Sequence, residues 1–364
     1  MFEEASQDGP IYLDYAATTP VSERVAAVVN HYMTVEFGNA GSRTHEWGTR
    51  AKKAVAEARA YLASTMDASP EELIFTSGAT ESNNLAILGL AENGRESGRM
   101  HLVTSATEHK AVLEPMEHLA KQGFEVDFLR PGPSGRFSVE DVMSHVREDT
   151  LLVSLMHVNN ETGVMQPTVA LAEALAQTRT YFHVDSAQGY AKYPEALRAP
   201  IDLISISGHK IGAPKGIGAL LLRRRGWSSP PVHPLMFGGG QEKTLRPGTL
   251  PVALIAGLHE AAKGFAANRS EWNRDVTAMR RKYLGMAQAH GGIVNGDPDH
   301  FAPHILNVSL VGQDAEAVLL AWRDLAFSVG SACNSATYAP SHVLTAMGLS
   351  QDRVSSAIRL SFNG

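Results

Sequence analysis

The sequence has one cysteine, Cys333, in 364 residues. A single thiol can form no disulfide within the chain and supplies no multi-cysteine metal site, so a reducing, cytoplasmic compartment fits. Positive charge is not in excess either: 32 Lys and Arg stand against 38 Asp and Glu, a net charge of −6. No global field of that sign draws the protein to nucleic acid or an anionic membrane. The first residues, "MFEEASQDGPIY", are acidic and have no apolar core, so no secretory signal is expected. No uninterrupted apolar run approaches the length of a membrane span. Nucleotide and metal signatures are missing as well. No G-x-G-x-x-G follows a strand pattern, and G-x-x-x-x-G-K-[ST] and H-E-x-x-H do not occur.

What is present is an ordinary globular composition, 44% hydrophobic and 19% charged, in a chain long enough for two domains. From about residue 70, short apolar runs alternate with longer amphipathic ones. "ELIFTS" (72–77), "MHLVTSA" (100–106), "TLLVSLMHV" (150–158), "TYFHVDS" (180–186), "IDLISIS" (201–207) and "IGALLLR" (217–223) read as strands. Helical segments such as "ESNNLAILGLAENG" and "PTVALAEALAQTR" fall between most of them. Strands that are apolar on both faces imply a mostly parallel sheet covered by helices, an α/β domain. From about residue 252 the pattern changes to one or two long helices, a strand at 304–310, a helix at 314–326 and a last strand at 356–362. That is a smaller α+β domain on a helical connector. The expected division is an N-terminal segment (1–20) packing with the small domain, a large domain (21–252), and the connector with the small domain (253–364). The run Arg223, Arg224, Arg225 directly follows an apolar strand and reads as its solvated end.

In an open α/β sheet, ligands bind outside the carboxyl ends of the strands. Five strands here end in polar or titratable groups: Ser77-Gly78-Ala79-Thr80, Thr107-Glu108-His109, Asn159-Asn160-Glu161, Asp185 with Gln188, and His209-Lys210. One such end means nothing; five together favour a site. Each part has a plainer reading. Thr80 is either an N-cap or part of a phosphate cradle, and the pattern alone leaves both open. A lone His109 is more often an ordinary polar histidine. Asp185 follows "FHV" at a buried position, where a carboxylate needs a cationic partner. Lys210 stands at the same edge, and a buried lysine that loses its proton suits Schiff-base chemistry. A phosphate cradle, a buried aspartate and a strand-end lysine together suggest pyridoxal 5′-phosphate. No metal site is expected.

Nine motifs carry a resemblance: "YLDYAATTP" (12–20), "FGNAGSRTH" (37–45), "FTSGATESNN" (75–84), "TEHKAV" (107–112), "MHVNNETG" (156–163), "HVDSAQ" (183–188), "SGHKIGAPKGIGAL" (207–220), "RPGTLP" (246–251) and "SVGSACNS" (328–335). In order and over nearly the whole chain they resemble the cysteine desulfurases, class V, fold-type I pyridoxal-phosphate enzymes. The resemblance implies that Lys210 carries the cofactor covalently, that Asp185 pairs with the pyridine nitrogen, and that Gln188 bonds the phenolic oxygen. It implies that His109 stacks on the ring and assists proton transfer. Gly78, Ala79, Thr80, Ser207 and His209 would hold the phosphate, with Thr249 reaching the phosphate of the neighbouring subunit. Asn160 and Arg359 would grip the substrate carboxylate. Cys333, in a segment of small and polar residues, matches the cysteine whose thiolate takes the substrate sulfur.

The expected activity is conversion of L-cysteine to L-alanine by a homodimer, with a persulfide on Cys333. The longer "SGSAC"-like loop resembles the group that serves iron–sulfur assembly and sulfur relay. The expected partner is therefore a sulfur-acceptor protein: an iron–sulfur scaffold, a tRNA-thiolation protein or a DNA-phosphorothioation protein. Two rivals share the motifs. Another class V enzyme, an aminotransferase or selenocysteine lyase, needs no thiol at position 333. A non-catalytic sulfur carrier on a degenerate fold needs no cofactor, and the intact Lys210, Asp185, His109 and Arg359 argue against it. Val329 and Pro247 depart from the residues common in the family. Members also typically continue past the strand that here ends in "RLSFNG".

Overall fold

A computed structural model describes residues 9–329 and 340–363; Cys333 lies outside the described residues. The strands, in chain order, are β1 (Ile11–Tyr12), β2 (Leu73–Thr76), β3 (His101–Ser105), β4 (Glu125–Leu129), β5 (Thr150–Ser154), β6 (Tyr181–Asp185), β7 (Leu203–Ser207), β8 (Gly218–Leu222), β9 (Ile293–Val294), β10 (Ile305–Ser309), β11 (Leu325–Ala326), β12 (Ser328–Val329) and β13 (Ala357–Ser361). The helices used below are α1 (Glu23–Thr34), α2 (Glu46–Ser64), α3 (Ala79–Leu88), α4 (Ala91–Ser97), α5 (Lys110–Lys121), α6 (Val139–Met143), α7 (Thr168–Leu175), α8 (Val252–Ala289), α9 (Ala315–Ala321) and α10 (His342–Ala346).

The large sheet has seven strands in the order β2-β8-β7-β6-β5-β3-β4. All neighbours are parallel except β8, which runs antiparallel to both β2 and β7. Side chains alternate along each strand, so each strand feeds two cores. Leu73, Phe75, Val153 and Ile206 pack with α2, α7 and α8, while Ile74, Leu152 and Leu220 pack with α3, α4 and α5. This two-sided burial is why these strands read as continuous apolar runs. The exception is β4, whose "EVDFL" alternates and is half exposed at the sheet edge. It escaped the sequence reading for that reason.

Three boundaries differ from expectation, and the connector takes one of the two forms expected. The run 150–158 is a strand only to Ser154; Val158 makes an isolated bridge to Met165. The helical segment 81–94 is divided at Gly89 and Leu90 into α3 and α4. The connector is one helix, α8, of 38 residues. The helix expected over 314–326 ends at Ala321, because Leu325–Ala326 turns into β11 and pairs in parallel with β1. The arginine run is also corrected. Only Arg224 is exposed. Arg223 donates to the carbonyls of Met66, Asp67, Leu197 and Ile201, and Arg225 makes a two-point pair with buried Asp202. They fasten the far edge of the sheet rather than face solvent.

The second sheet is antiparallel, β12-β13-β10-β9. It packs on Trp272, Val276 and Tyr283 of α8, on Ala315 and Val318 of α9, and on Leu13 of the N-terminal segment. That segment then runs past β13, where Asp14 bridges Ser361 and Ala16 N donates to Ser361 Oγ at 2.8 Å. Residues 14–17 are thereby carried to the carboxyl edge of the large sheet.

Candidate active site

The carboxyl ends of β2, β3, β5, β6 and β7 open into one cavity of about 480 Å³, closed on the far side by residues 14–17 and Arg359. Of the residues singled out from the sequence, Gly78, Ala79, Thr80, His109, Asn160, Asp185, Gln188, Ser207, His209, Lys210 and Arg359 all line it. Thr107, Glu108, Asn159 and Glu161 are buried behind its wall. Thr249 is exposed on a loop outside it.

Lys210 sits at the cavity because β7 ends there and the chain loops back as antiparallel β8. Its Nζ donates to the carbonyls of Ala16 at 2.5 Å and Ala17 at 2.7 Å. Beneath it, buried Lys192 donates its own Nζ to Lys210 O at 3.1 Å. Burial, helped by the charge of Lys210, brings the Lys192 amine down to about 7. His209 pairs Nδ1 with Thr18 Oγ1 at 3.2 Å, and burial among Lys210, Lys215 and Lys192 lowers its imidazole to about 4.

Asp185 ends β6 facing α3. Its Oδ2 accepts from Asn83 Nδ2 at 2.7 Å and its Oδ1 from Ala187 N at 2.9 Å. Asn83 is the partner the sequence reading missed: it stands within "SGATESNN" five residues past Gly78, on the α3 face turned toward β6. Across the cavity, His109 caps α5 by accepting from Ala111 N on Nδ1 at 3.1 Å. That bond leaves the proton on Nε2 in the neutral ring. Burial lowers the His109 imidazole, Asp185 works against this, and Lys210 and His342 reinforce it. Gln188 donates Nε2 to Ala16 O at 2.8 Å, while its buried Oε1 has no partner among the described residues.

The turn from β2 to α3 forms the cradle. Gly78 adopts φ 152°, a conformation only glycine takes without strain. Gly218, at the start of β8, lies so close that a Cβ there would sit 2.6 Å from Gly78 Cα and 2.4 Å from Ile206 O. Gly78 is the N-cap of α3, so Thr80 is a residue of its first turn and not the cap. The amides of that turn have no intrahelical partner and line the cavity beside Ser207 and His209. A helix start of this kind binds phosphate.

At the other end Arg359, on β13, is nearly buried. It donates Nη1 to Asn160 O at 3.0 Å, and Nη2 to Asp14 Oδ1 at 2.7 Å and Ser328 Oγ at 3.0 Å. Its Nε has no partner among the described residues. Asp14 is the second residue the sequence reading missed; it lies in "YLDYAATTP", whose fold-back position no local pattern reveals. The cavity thus has an anion cradle at one end, a guanidinium at the other, and an amine, an imidazole and a carboxyl between them. A phosphorylated pyridine fits this arrangement: the cradle takes the phosphate, and the orphaned Gln188 Oε1 and Asp185 face the volume a ring would fill. Among the described residues no cluster of three or more His, Cys, Asp or Glu could hold a metal ion. No helix there is long and apolar enough to cross a membrane.

Compared with known proteins, residues 11–363 match the family described as aminotransferase class-V. The chain is 44% identical over 357 residues to the protein named cysteine desulfurase IscS of Vibrio vulnificus (strain YJ016), covering 97% of this chain and 88% of that one. It is 45% identical over 358 residues to the protein of the same name from Escherichia coli O9:H4 (strain HS), covering 97% and 87%. Among solved structures, DndA from Streptomyces lividans superposes with a TM-score of 0.87 at 59% identity, covering 97% of this chain and 100% of that one. SspA, solved in complex with cysteine, superposes with a TM-score of 0.85 at 36% identity, covering 96% and 98%.

Proposed function

The chain belongs to the aminotransferase class-V family and, within it, to the cysteine desulfurases, and from that membership we propose that its cavity binds pyridoxal 5′-phosphate and L-cysteine side by side. The enzyme converts L-cysteine to L-alanine and passes the sulfur on as a persulfide; its family depends on pyridoxal phosphate. The observation that carries the reading of the site is the meeting of Lys210, Asp185 and Arg359 on one cavity, two from the ends of neighbouring strands of the large sheet and one from the small domain.

When bound, the cofactor supplies an electron sink for the substrate Cα. Lys210 would hold it through its side-chain amine, and as a free amine would carry the α-proton of the substrate. Asp185, steadied by Asn83, holds a proton on the pyridine nitrogen. His109, neutral, would lie against the ring and offer Nε2–H to the reacting region. Gln188 meets the phenolic oxygen, and Gly78, Ala79, Thr80, Ser207 and His209 hold the phosphate. Arg359 and Asn160 grip the substrate carboxylate, Arg359 being aimed by Asp14 and Ser328. The Cys333 thiolate attacks the substrate sulfur. A sulfur–sulfur bond forms as the Cβ–sulfur bond breaks, and the electron pair stays with the alanine fragment, which takes up a proton.

The working unit is a homodimer in which Thr249 completes the partner's phosphate site. The exposure of Thr249 outside its own cavity supports this, as do the large apolar side chains Phe37 and Phe237, 67% and 90% exposed. The compartment is the cytoplasm, where a lone thiol stays reduced. Sulfur then passes to an acceptor protein. A pull-down with the persulfidated enzyme identifies it as an iron–sulfur scaffold, a tRNA-thiolation protein or a DNA-phosphorothioation protein.

Cys333→Ser tests the reading. The variant keeps every cavity residue, so L-cysteine still changes the visible spectrum, but alanine and sulfide production collapse. A hydroxyl is neither ionised at neutral pH nor soft enough to take sulfur. Alanine release at the wild-type rate would hand the assignment to an aminotransferase or lyase.

A further inference from the structure

The chain on both sides of residues 330–339 is fastened to the cavity wall. On the N-terminal side, Ser328 Oγ donates to Asp14 Oδ1 at 2.8 Å and accepts from Arg359, and Val329 pairs with Ile358 of β13. On the C-terminal side, Ser341 caps α10 by accepting from Leu344 N at 3.1 Å and donates Oγ–H to Glu161 Oε2. His342 donates Nε2–H to Glu108 O at 2.9 Å, and its Nδ1 faces Glu161 Oε1 at 4.0 Å. Glu108 and Glu161 are the sequence neighbours of His109 and Asn160, the residues that form two walls of the site.

The surroundings of this clamp are polar by design of position rather than by exposure. Glu161 is 4% exposed and its amide donates to Asn159 Oδ1 at 2.9 Å. Its carbonyl accepts from Asn307 Nδ2 at 3.2 Å. Burial raises the Glu161 carboxyl, with Ser341, His342 and Arg359 acting against it. Glu108 is wholly buried, with Oε1 accepting from Met156 N at 2.6 Å. Neither carboxyl touches the cavity. The mechanism uses neither carboxyl; Glu161 holds Ser341 through its carboxyl group, and Glu108 holds His342 through its backbone carbonyl.

We propose that His342, with Ser341 and Glu161, is a positioning element for sulfur transfer: it fixes one root of the segment bearing Cys333 against the walls that carry His109 and Asn160. Covalent geometry gives the clamp its leverage. Cys333 lies four residues after Val329 and eight before Ser341. With about 3.5 Å of reach per residue, moving either root moves the volume the thiol can occupy. The clamp touches neither the cavity nor the groups lining it except through charge, that of His342 on His109 and that of Arg359 on Glu161, so its effect is expected on the thiol's approach, with the spectral step as the control. This rests on the reading of Cys333 as the sulfur acceptor.

The test is single-turnover desulfuration in the full-length holoenzyme. The substrate-induced spectral change is followed by stopped flow, and the mass of one sulfur atom on the Cys333 peptide is followed in time. His342→Ala removes the bond to Glu108 O. The side chain is 33% exposed, so its loss leaves the fold intact, which thermal melting verifies. His342→Gln keeps an N–H within reach of that carbonyl. The expected result in His342→Ala is an unchanged spectral step and persulfide formation slowed about fivefold, the population factor of one lost hydrogen bond. His342→Gln restores the rate. A second readout needs no turnover. In protein stripped of cofactor, alkylation of the chain's single cysteine by iodoacetamide changes in His342→Ala and returns to the wild-type rate in His342→Gln. Wild-type persulfide formation in His342→Ala overturns the proposal, as does equal slowing in both variants or slowing of the spectral step. Absence of sulfur on Cys333 in the wild type overturns the reading of Cys333 instead, and so separates the two failures.

Discussion

Asn83 gives its Nδ2 hydrogen to Asp185 Oδ2 across 2.7 Å, and neither residue is exposed enough for water to replace the other. The bond fixes the rotation of the carboxyl that faces the cavity, with the Ala187 amide holding its second oxygen. Asn83→Ala should therefore fold and still bind cofactor, but about tenfold more weakly, since a hydrogen bond to a charged group is worth ~1.5–3 kcal/mol. Asp185→Asn should cost far more in turnover than in affinity, because the electron sink and not the pocket is lost. An absorbance titration with pyridoxal phosphate checks both. Wild-type affinity in Asn83→Ala would show the contact to be incidental.

Lys210→Ala should abolish turnover, since the anchor and the proton carrier vanish together. Borohydride reduction of the wild-type holoenzyme followed by peptide mapping should put the pyridoxyl group on Lys210. Lys192 is the informative alternative: it is a buried amine brought down to about 7 and lies one hydrogen bond from Lys210. It donates to the backbone rather than lining the cavity. Label on Lys192 would mean that the wrong amine has been chosen.

The loop bearing Thr249 is held at a cost. Glu242, Lys243 and Thr244 adopt φ of 47°, 57° and 67°, a left-handed turn without a glycine. Arg59 offsets that strain by gripping both oxygens of buried Glu242, whose Oε2 also accepts from Phe75 N at 2.7 Å. Arg246 ties the same loop to Glu81 of α3 at 2.8 Å. The brace holds Thr249 exposed and away from its own cavity, as the proposed dimer requires. Sedimentation should give a dimer at assay concentrations, and Thr249→Ala should weaken cofactor binding without dissociating it. A fully active monomer would refute the arrangement.

What the sequence disclosed follows from which forces are local. The six strands with two buried faces announced themselves, and so did the polar residues at their ends, because the strand end fixes where each side chain points. The half-exposed β4 did not. Neither did Asn83, whose role depends on α3 lying against β6, nor Asp14, which reaches Arg359 only because the segment leaving β1 passes Ser361 of β13. Arg223 and Arg225 misled for the same reason: adjacent charges look solvated until Asp202 and six carbonyls of distant segments close around them. Contacts set by tertiary packing leave no periodicity to read.

The last prediction concerns two imidazoles under the cavity floor. His183 is fully buried in β6, bonded through Nδ1 to Ser154 Oγ at 2.8 Å and through Nε2 to Ser205 Oγ at 3.0 Å. His157, equally enclosed, faces Ser186 Oγ at 3.3 Å. Burial lowers each from 6.5 to about 4, and the nearby Asp185 offsets this only partly at His183. Between those values the unfolded chain takes up protons that the folded one refuses. Each histidine therefore costs stability as pH falls through that window, about 2 kcal/mol at pH 5 by linkage. Glu108 and Glu161 act in the opposite sense: burial raises both carboxyls, so their contribution is lost as pH rises. The total slope mixes the two, and the comparison that isolates one group is a variant. His183→Asn, small enough for the site and able to bond a flanking serine, should lose stability at pH 7. Its further loss between pH 7 and pH 5 should be smaller than that of the wild type by about 2 kcal/mol in denaturant unfolding. An identical drop in both proteins would mean that His183 accepts a proton in the folded state, and that the floor beneath Asp185 is wetter than its packing implies.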